Sequence, residues 1–221
     1  MYNILTYTYL LLPLSIIVFR KKSRDSNVLL LGAYGIIAFF FLFFFDDVPT
    51  ITKYQKLYAF SYTLIEYLVF AALIFSNISS KGARKFIIIS SISFFVFQSI
   101  YFWTAKLEKL DSVPIGIETI LLFIFIFIFF YESFNNPKLQ YIYNDYCFWI
   151  AVGILIYLGG AFFIYILANE IHQNEIDKYW DLTYVAEIIK NILFCIAIYL
   201  YKPPLEKNLR NKSSIPNLDM I

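Results

Sequence analysis

The chain has 221 residues, 60% hydrophobic, 21% aromatic and 15% charged, with a formal net charge of +2 and a mean hydropathy of +0.67. Soluble domains average roughly 45–50% apolar and about 25% charged residues, so this composition specifies an integral membrane protein and excludes an ordinary soluble domain. Near-balanced charge without a basic block gives no nucleic-acid partner, and two cysteines in apolar surroundings, Cys147 and Cys195, give neither a disulfide framework nor a paired-cysteine metal site.

A helix crossing a bilayer needs about 20 mainly apolar residues. Seven such runs are predicted, near 4–19, 28–45, 57–76, 86–104, 114–134, 146–168 and 181–201. The first is followed, not preceded, by its charges (RKKSRDSN, 20–27) and has no small-residue cleavage site, which reads as a retained helix. The second and fifth are rich in Phe and Ile on every face, as expected of helices wholly lipid-exposed or wholly buried. None of the seven alternates with period two, so a β-barrel is excluded and the expected fold class is all-α, a seven-transmembrane-helix bundle. The connecting segments are short, and the polar, proline-punctuated stretch 202–221 reads as a tail.

Lys and Arg in short loops orient such a bundle. Excluding Lys190, twelve fall in the first, third and fifth loops and the tail, against five in the other three loops. The N-terminus is therefore expected outside and the tail in the cytoplasm.

Ionisable residues inside membrane helices are costly, and they normally pair or line a cavity. The last span, DLTYVAEIIKNILFCIAIYLY, carries Glu187, Lys190, Asn191 and Phe194 at helical spacing, on one face. With about 1.5 Å of rise per residue, Glu187 and Lys190 lie roughly 9 and 13 Å below the outer end of that span. Glu66 in the third span falls at the depth of Lys190, with Tyr62 and Thr63 on its face. Gln98 in the fourth span, Glu118 in the fifth and Gly159-Gly160 in the sixth share the outer half. Glu66, Gln98, Glu118, Glu187, Lys190 and Asn191 are thus the candidate ligand-binding residues of an outward-opening pocket between spans three and seven. The bland alternative is an intrahelical Glu187–Lys190 pair that only fixes packing. Gly153, Gly159 and Gly160 have a sufficient explanation in close helix approach. Trp103, Trp149 and Trp180 stand near span ends like interfacial aromatics. His172, between Glu170 and Glu175, is expected to be a solvated loop residue.

No HExxH, GxSxG, histidine cluster, paired-aspartate motif or phosphate-binding glycine loop occurs, so no catalytic residue, metal or cofactor is assigned and no enzyme is expected. The segments YCFWIAVGILIYLGGAFFIYILANEI (146–171) and EIIKNILFCIAIYL (187–200), with IETILL (117–122) and FFYES (129–133), resemble small seven-helix membrane proteins of Bacteroidota-type bacteria encoded beside two-component signalling genes. That resemblance implies a bacterial inner-membrane location and a signalling partner, without a mechanism. A lysine in a seventh span is also where rhodopsins hold retinal. Here, however, the acid precedes it by three residues, no arginine stands near Glu66, and the sixth span lacks a Trp-x-x-Tyr-Pro run. The function expected is a receptor-like or signalling module for a small or lipidic ligand. The alternatives are a small-solute or proton-coupled transporter and a structural or assembly subunit.

Overall fold

The computed structural model describes residues 2–19, 25–44, 52–104, 112–135, 142–167 and 173–201. His172 and the tail 202–221 lie outside them. The described chain is helical: α1 Tyr2–Thr8, α2 Leu11–Phe19, α3 Ser26–Phe43, α4 Thr52–Asn77, α5 Lys81–Thr104, α6 Ser112–Phe134, α7 Tyr146–Leu167 and α8 Gln173–Leu200, with a single 3₁₀ turn at Ile142–Asn144. Six stretches among the described residues are long and apolar enough to cross a bilayer. They are Tyr2–Phe19, Ser26–Phe43, Leu57–Asn77, Lys81–Thr104, Val113–Phe134 and Trp180–Leu200, and α7 adds a shorter apolar stretch, Tyr146–Phe162. These support an all-α integral membrane bundle.

The first predicted span is two helices rather than one. Proline has no N–H and its ring crowds the carbonyl four residues back, so Pro13 frees the carbonyl of Tyr9 from regular helix bonding. Leu12 N–H takes that carbonyl instead, at 3.3 Å, and Leu10 N–H bonds Tyr7 O at 3.2 Å, which makes a tight turn between α1 and α2. Gly35 of α3 lies against this turn. A Cβ there would come within 2.7 Å of Tyr9 O, 2.9 Å of Leu12 Cβ and 3.1 Å of Pro13 Cδ.

Helix starts follow local chemistry. Asp25 accepts from Asn27 N–H at 2.9 Å and begins α3; Ser80 accepts from Ala83 N–H at the start of α5; Asp145 accepts from Cys147 N–H at the start of α7. These are N-cap bonds that satisfy donors a helix leaves unpaired.

The bundle is inside-out only at its perimeter. Leu31, Leu73, Ile74, Leu122, Phe125, Ile154 and Ile198 are fully buried, whereas Ile88, Ile92, Val96 and Ile100 of α5 and Phe127 of α6 point outward. Half of the α8 span is buried against 17% of α5, so α8 is central and α5 peripheral. α8 lies between α7 and the α1–α2 pair, while α4 touches α3, α5, α6 and α7. α3 and α6 are neither wholly exposed nor wholly buried. α3 buries Val28, Leu31, Tyr34 and Ala38 and exposes Leu29, Ile36 and Phe40; α6 buries Leu122, Phe125 and Phe129 and exposes Ile120 and Phe127. Hydropathy cannot distinguish a lipid-facing Phe from a core Phe, because both environments are apolar. α7 and α8 approach closely at small residues: a Cβ at Gly160 would sit 3.0 Å from Ala186 Cβ, and one at Gly153 3.1 Å from the Phe194 ring.

Candidate functional site

Lys190 is fully buried, and five helical segments build its surroundings. An ammonium has three donors and no acceptor. Lys190 Nζ donates to Tyr34 Oη at 2.7 Å and to Tyr9 Oη at 3.1 Å. On its remaining side the Tyr157 ring lies 4.0 Å away, centroid to Nζ, and the rings of Tyr9, Tyr34 and Phe70 lie between 5.1 and 5.6 Å. A cation against desolvated aromatic faces gains about 2 kcal/mol, which suits a group cut off from water.

The two phenols pass the interaction on. Tyr34 Oη donates to Glu66 Oε1 at 2.7 Å, and Tyr9 Oη donates to Glu187 Oε1. Tyr157 Oη donates to the second oxygen of Glu66 at 3.0 Å, and Tyr62 Oη lies 3.4 Å from both Glu66 Oε1 and Glu187 Oε1. Each carboxylate is therefore joined to the ammonium through a phenol, and each also sits 3.7 Å from it directly. Glu66 comes from α4, Glu187 and Lys190 from α8, Tyr34 from α3, Tyr157 from α7 and Tyr9 from the α1–α2 turn.

The structure brings Glu66, Glu187 and Lys190 together but not all six candidates. Asn191, also fully buried, donates to Thr8 Oγ1 at 2.9 Å and so ties α8 to the end of α1, while its Oδ1 has no hydrogen-bond partner. Gln98 donates to the Phe60 carbonyl at 3.3 Å, which is an α4–α5 contact rather than part of the lysine centre. Glu118 is buried on α6 with Oε1 unpartnered. Lys190 itself is enclosed by the side chains of Tyr9, Tyr34, Phe70 and Tyr157. Spans one and two, which the sequence left out of the site, supply two of its phenols. The bland alternative is incomplete too, because Glu187 and Lys190 do pair at i, i+3 but share the lysine with Glu66 of another helix.

Tyr9, Tyr34 and Tyr157 were missed. With 19 tyrosines in the chain, none stands out by composition. The available signal was Pro13, which marks position 9 as the place where the first helix turns.

A second polar group closes one end of the bundle. Tyr201 Oη donates to Asp25 Oδ2 at 2.5 Å. Tyr146 Oη accepts from Asn27 Nδ2 at 2.8 Å and donates to Asn77 Oδ1 at 3.0 Å, with the Tyr146 and Tyr201 rings edge to face. Glu132 accepts from the N–H groups of Ser79 and Ser80 at 2.7 and 3.2 Å and tethers the α4–α5 connection to the end of α6. Lys190, Phe194, Ala197 and Tyr201 are all buried at near-helical repeats, so one face of α8 runs from the lysine to this end. Among the described residues no group of three or more His, Cys, Asp or Glu side chains is placed to hold a metal. No family model, no curated protein and no solved structure matches the chain.

Proposed function

We propose that the chain is a receptor-like or signalling module of a bacterial cytoplasmic membrane, with its N-terminus outside and its tail in the cytoplasm, as the loop charges favour. The observation that carries this reading is that Lys190 Nζ stands 3.7 Å from Glu66 Oε1 and 3.7 Å from Glu187 Oε1. Two acids on different helices share one base. One acid rides on α8 with the lysine; the other belongs to α4. Any event that changes the charge of one acid, or places another anion near the lysine, shifts the balance between an intrahelical pair and an α4–α8 tie. A small or lipidic anion entering from the outer half is such an event. Tyr9, on the α1–α2 turn, is the partner with the least regular backbone support and is the one such an anion would displace. Movement of α8 would then reach Tyr201 and Asp25 at the other end, where a signalling partner could read it. A conformational change needs differential interaction with two states, and the shared lysine supplies it.

The test is the distance distribution between spin labels at the outward-facing positions Leu29 on α3 and Tyr199 on α8, in bilayers. Glu66→Gln and Glu187→Gln are expected to move the distribution in different directions from wild type. Folded variants with superimposable distributions would remove the basis of the switch.

Proton-coupled transport is the second reading, favoured by Glu118 on α6, a third buried acid besides Glu66 and Glu187 among the described residues. Pyranine-loaded proteoliposomes that acidify with the wild type but not with Glu66→Gln would put this reading first.

A further inference from the structure

Among the described residues, Glu118 is the one buried carboxyl that the lysine centre does not use. It lies one turn past Pro114 on α6, is 2% exposed, and its Oε1 has no hydrogen-bond partner. The hydrogen bonds that the polar groups of the neighbouring helices make go to other partners, and none reaches Glu118 Oε1. On α4, Tyr67 pairs with Ser91 of α5 at 2.9 Å, and Glu66 is itself an acceptor for Tyr34 and Tyr157. On α5, Gln98 gives its amide to the Phe60 carbonyl and keeps its own oxygen unpaired. On α7, Tyr157 donates to Glu66; on α8, Lys190 donates to Tyr9 and Tyr34 and faces the Tyr157 ring.

An ionised carboxylate carried from water into such surroundings costs several kcal/mol after relaxation, and a compensating donor is what would offset it. The one buried cation among the described residues, Lys190, already stands between two acids. Ionising a third would add uncompensated negative charge to a bundle interior that holds one buried cation for two carboxylates among the described residues. A neutral carboxyl avoids that cost and changes a lone acceptor into a group that can also donate.

We infer that Glu118 is a proton-binding site, its side chain carried as the neutral carboxylic acid inside the bundle. The ligand is a hydron, taken up and released by exchange with solvent. The inference deepens the proton-coupled reading but does not need the chain to move any solute, because the state of one side chain and the flux of protons are measured separately.

The experiment is infrared spectroscopy of the full chain in bilayers at neutral pH. The wild type is expected to show a carbonyl stretch of a protonated carboxyl that shifts down in D₂O. The band should be lost in Glu118→Gln and kept in both Glu66→Gln and Glu187→Gln. A wild type without the band, a band that survives Glu118→Gln, or one lost instead with Glu187→Gln overturns the inference. Should Glu118→Gln fail to fold, solid-state NMR of the wild type with ¹³C-labelled glutamate reads the same state. The Glu118 carboxyl carbon, assigned through the Thr119 amide, is expected at the protonated shift, and the ionised shift overturns the inference. Absence of flux in liposomes leaves this result intact and removes only the transport reading.

Discussion

Gly35→Ala tests how the first helix is turned to deliver Tyr9. The added methyl would lie 2.7 Å from the Tyr9 carbonyl oxygen and 2.9 Å from Leu12 Cβ, with Pro13 Cδ at 3.1 Å. Two of these atoms are backbone or ring and the third is a Cβ, so none can rotate away. The α1–α2 turn must retreat by about 0.7 Å to restore ordinary van der Waals separation. Overpacking of this kind costs about 1–3 kcal/mol, and the intrinsic helix preference for Ala over Gly returns at most about 1 kcal/mol. No glycine in the described chain has positive φ, so no backbone strain enters the balance. Gly116 is the internal control, because a Cβ there meets nothing within 4 Å. In denaturant-induced unfolding in mixed micelles, Gly35→Ala is expected to lose about 1–2 kcal/mol net, while Gly116→Ala equals or exceeds the wild type. The displaced turn carries Tyr9 with it, so Gly35→Ala should also weaken any ligand or proton response. Equal stability of the two variants would refute the close approach and, with it, the account of how Pro13 and Gly35 place Tyr9.

Other expectations concern α8. Gly160→Leu should force α7 from α8, since Ala186 Cβ is only 3.0 Å from a Cβ at that site, whereas Gly159→Ala meets only Phe123 Cζ at 3.9 Å and should be tolerated; relative expression and melting in detergent separate the two. Tyr201→Phe removes the donor to Asp25 and should cost about 1.5–3 kcal/mol, the usual range for a hydrogen bond to a charged group. Amide exchange should then accelerate over Ala197–Tyr201, and unchanged protection there would show that the end contact carries no weight. Tyr34→Phe leaves Lys190 with one phenol oxygen and removes a donor from Glu66, so it should destabilise more than Tyr131→Phe, whose ring is 72% exposed.

Much of this arrangement was legible in the chain. Six of the seven apolar runs fall on one helix each and the first on two, because run length and the absence of alternation depend on local sequence alone. That Glu66 meets Lys190 followed from matching depth on two spans, together with the cost of leaving either charge in hydrocarbon. Helix rotation was not legible: in α3 and α6, where nearly every face is apolar, no periodicity marks the buried side. The same degeneracy hid Tyr34, which shares the buried face of α3 with Leu31 and Ala38. Depth on the spans did not say which partners Gln98 and Glu118 would bond, for a related reason. A common level fixes height in the bundle but not the direction a side chain takes around its helix axis, and both side chains end with an oxygen unpaired instead of joining the lysine. The break at Tyr9 was encoded by Pro13, but a proline in an apolar run can kink a helix or leave it continuous. Here Gly35 decides by letting the turn pack against α3.

The most direct measurement is the unfolding free energy in bilayer-mimetic micelles of Lys190→Met beside the triple variant Lys190→Met/Glu66→Gln/Glu187→Gln. Removing one partner of a buried ionic group costs about 3–5 kcal/mol, whereas replacing the whole group by neutral residues of similar volume is often tolerated. The single variant is therefore expected to lose that amount and the triple to recover most of it. A single variant as stable as the wild type, or a triple that falls further still, would contradict a centre in which one lysine balances two glutamates through Tyr9 and Tyr34.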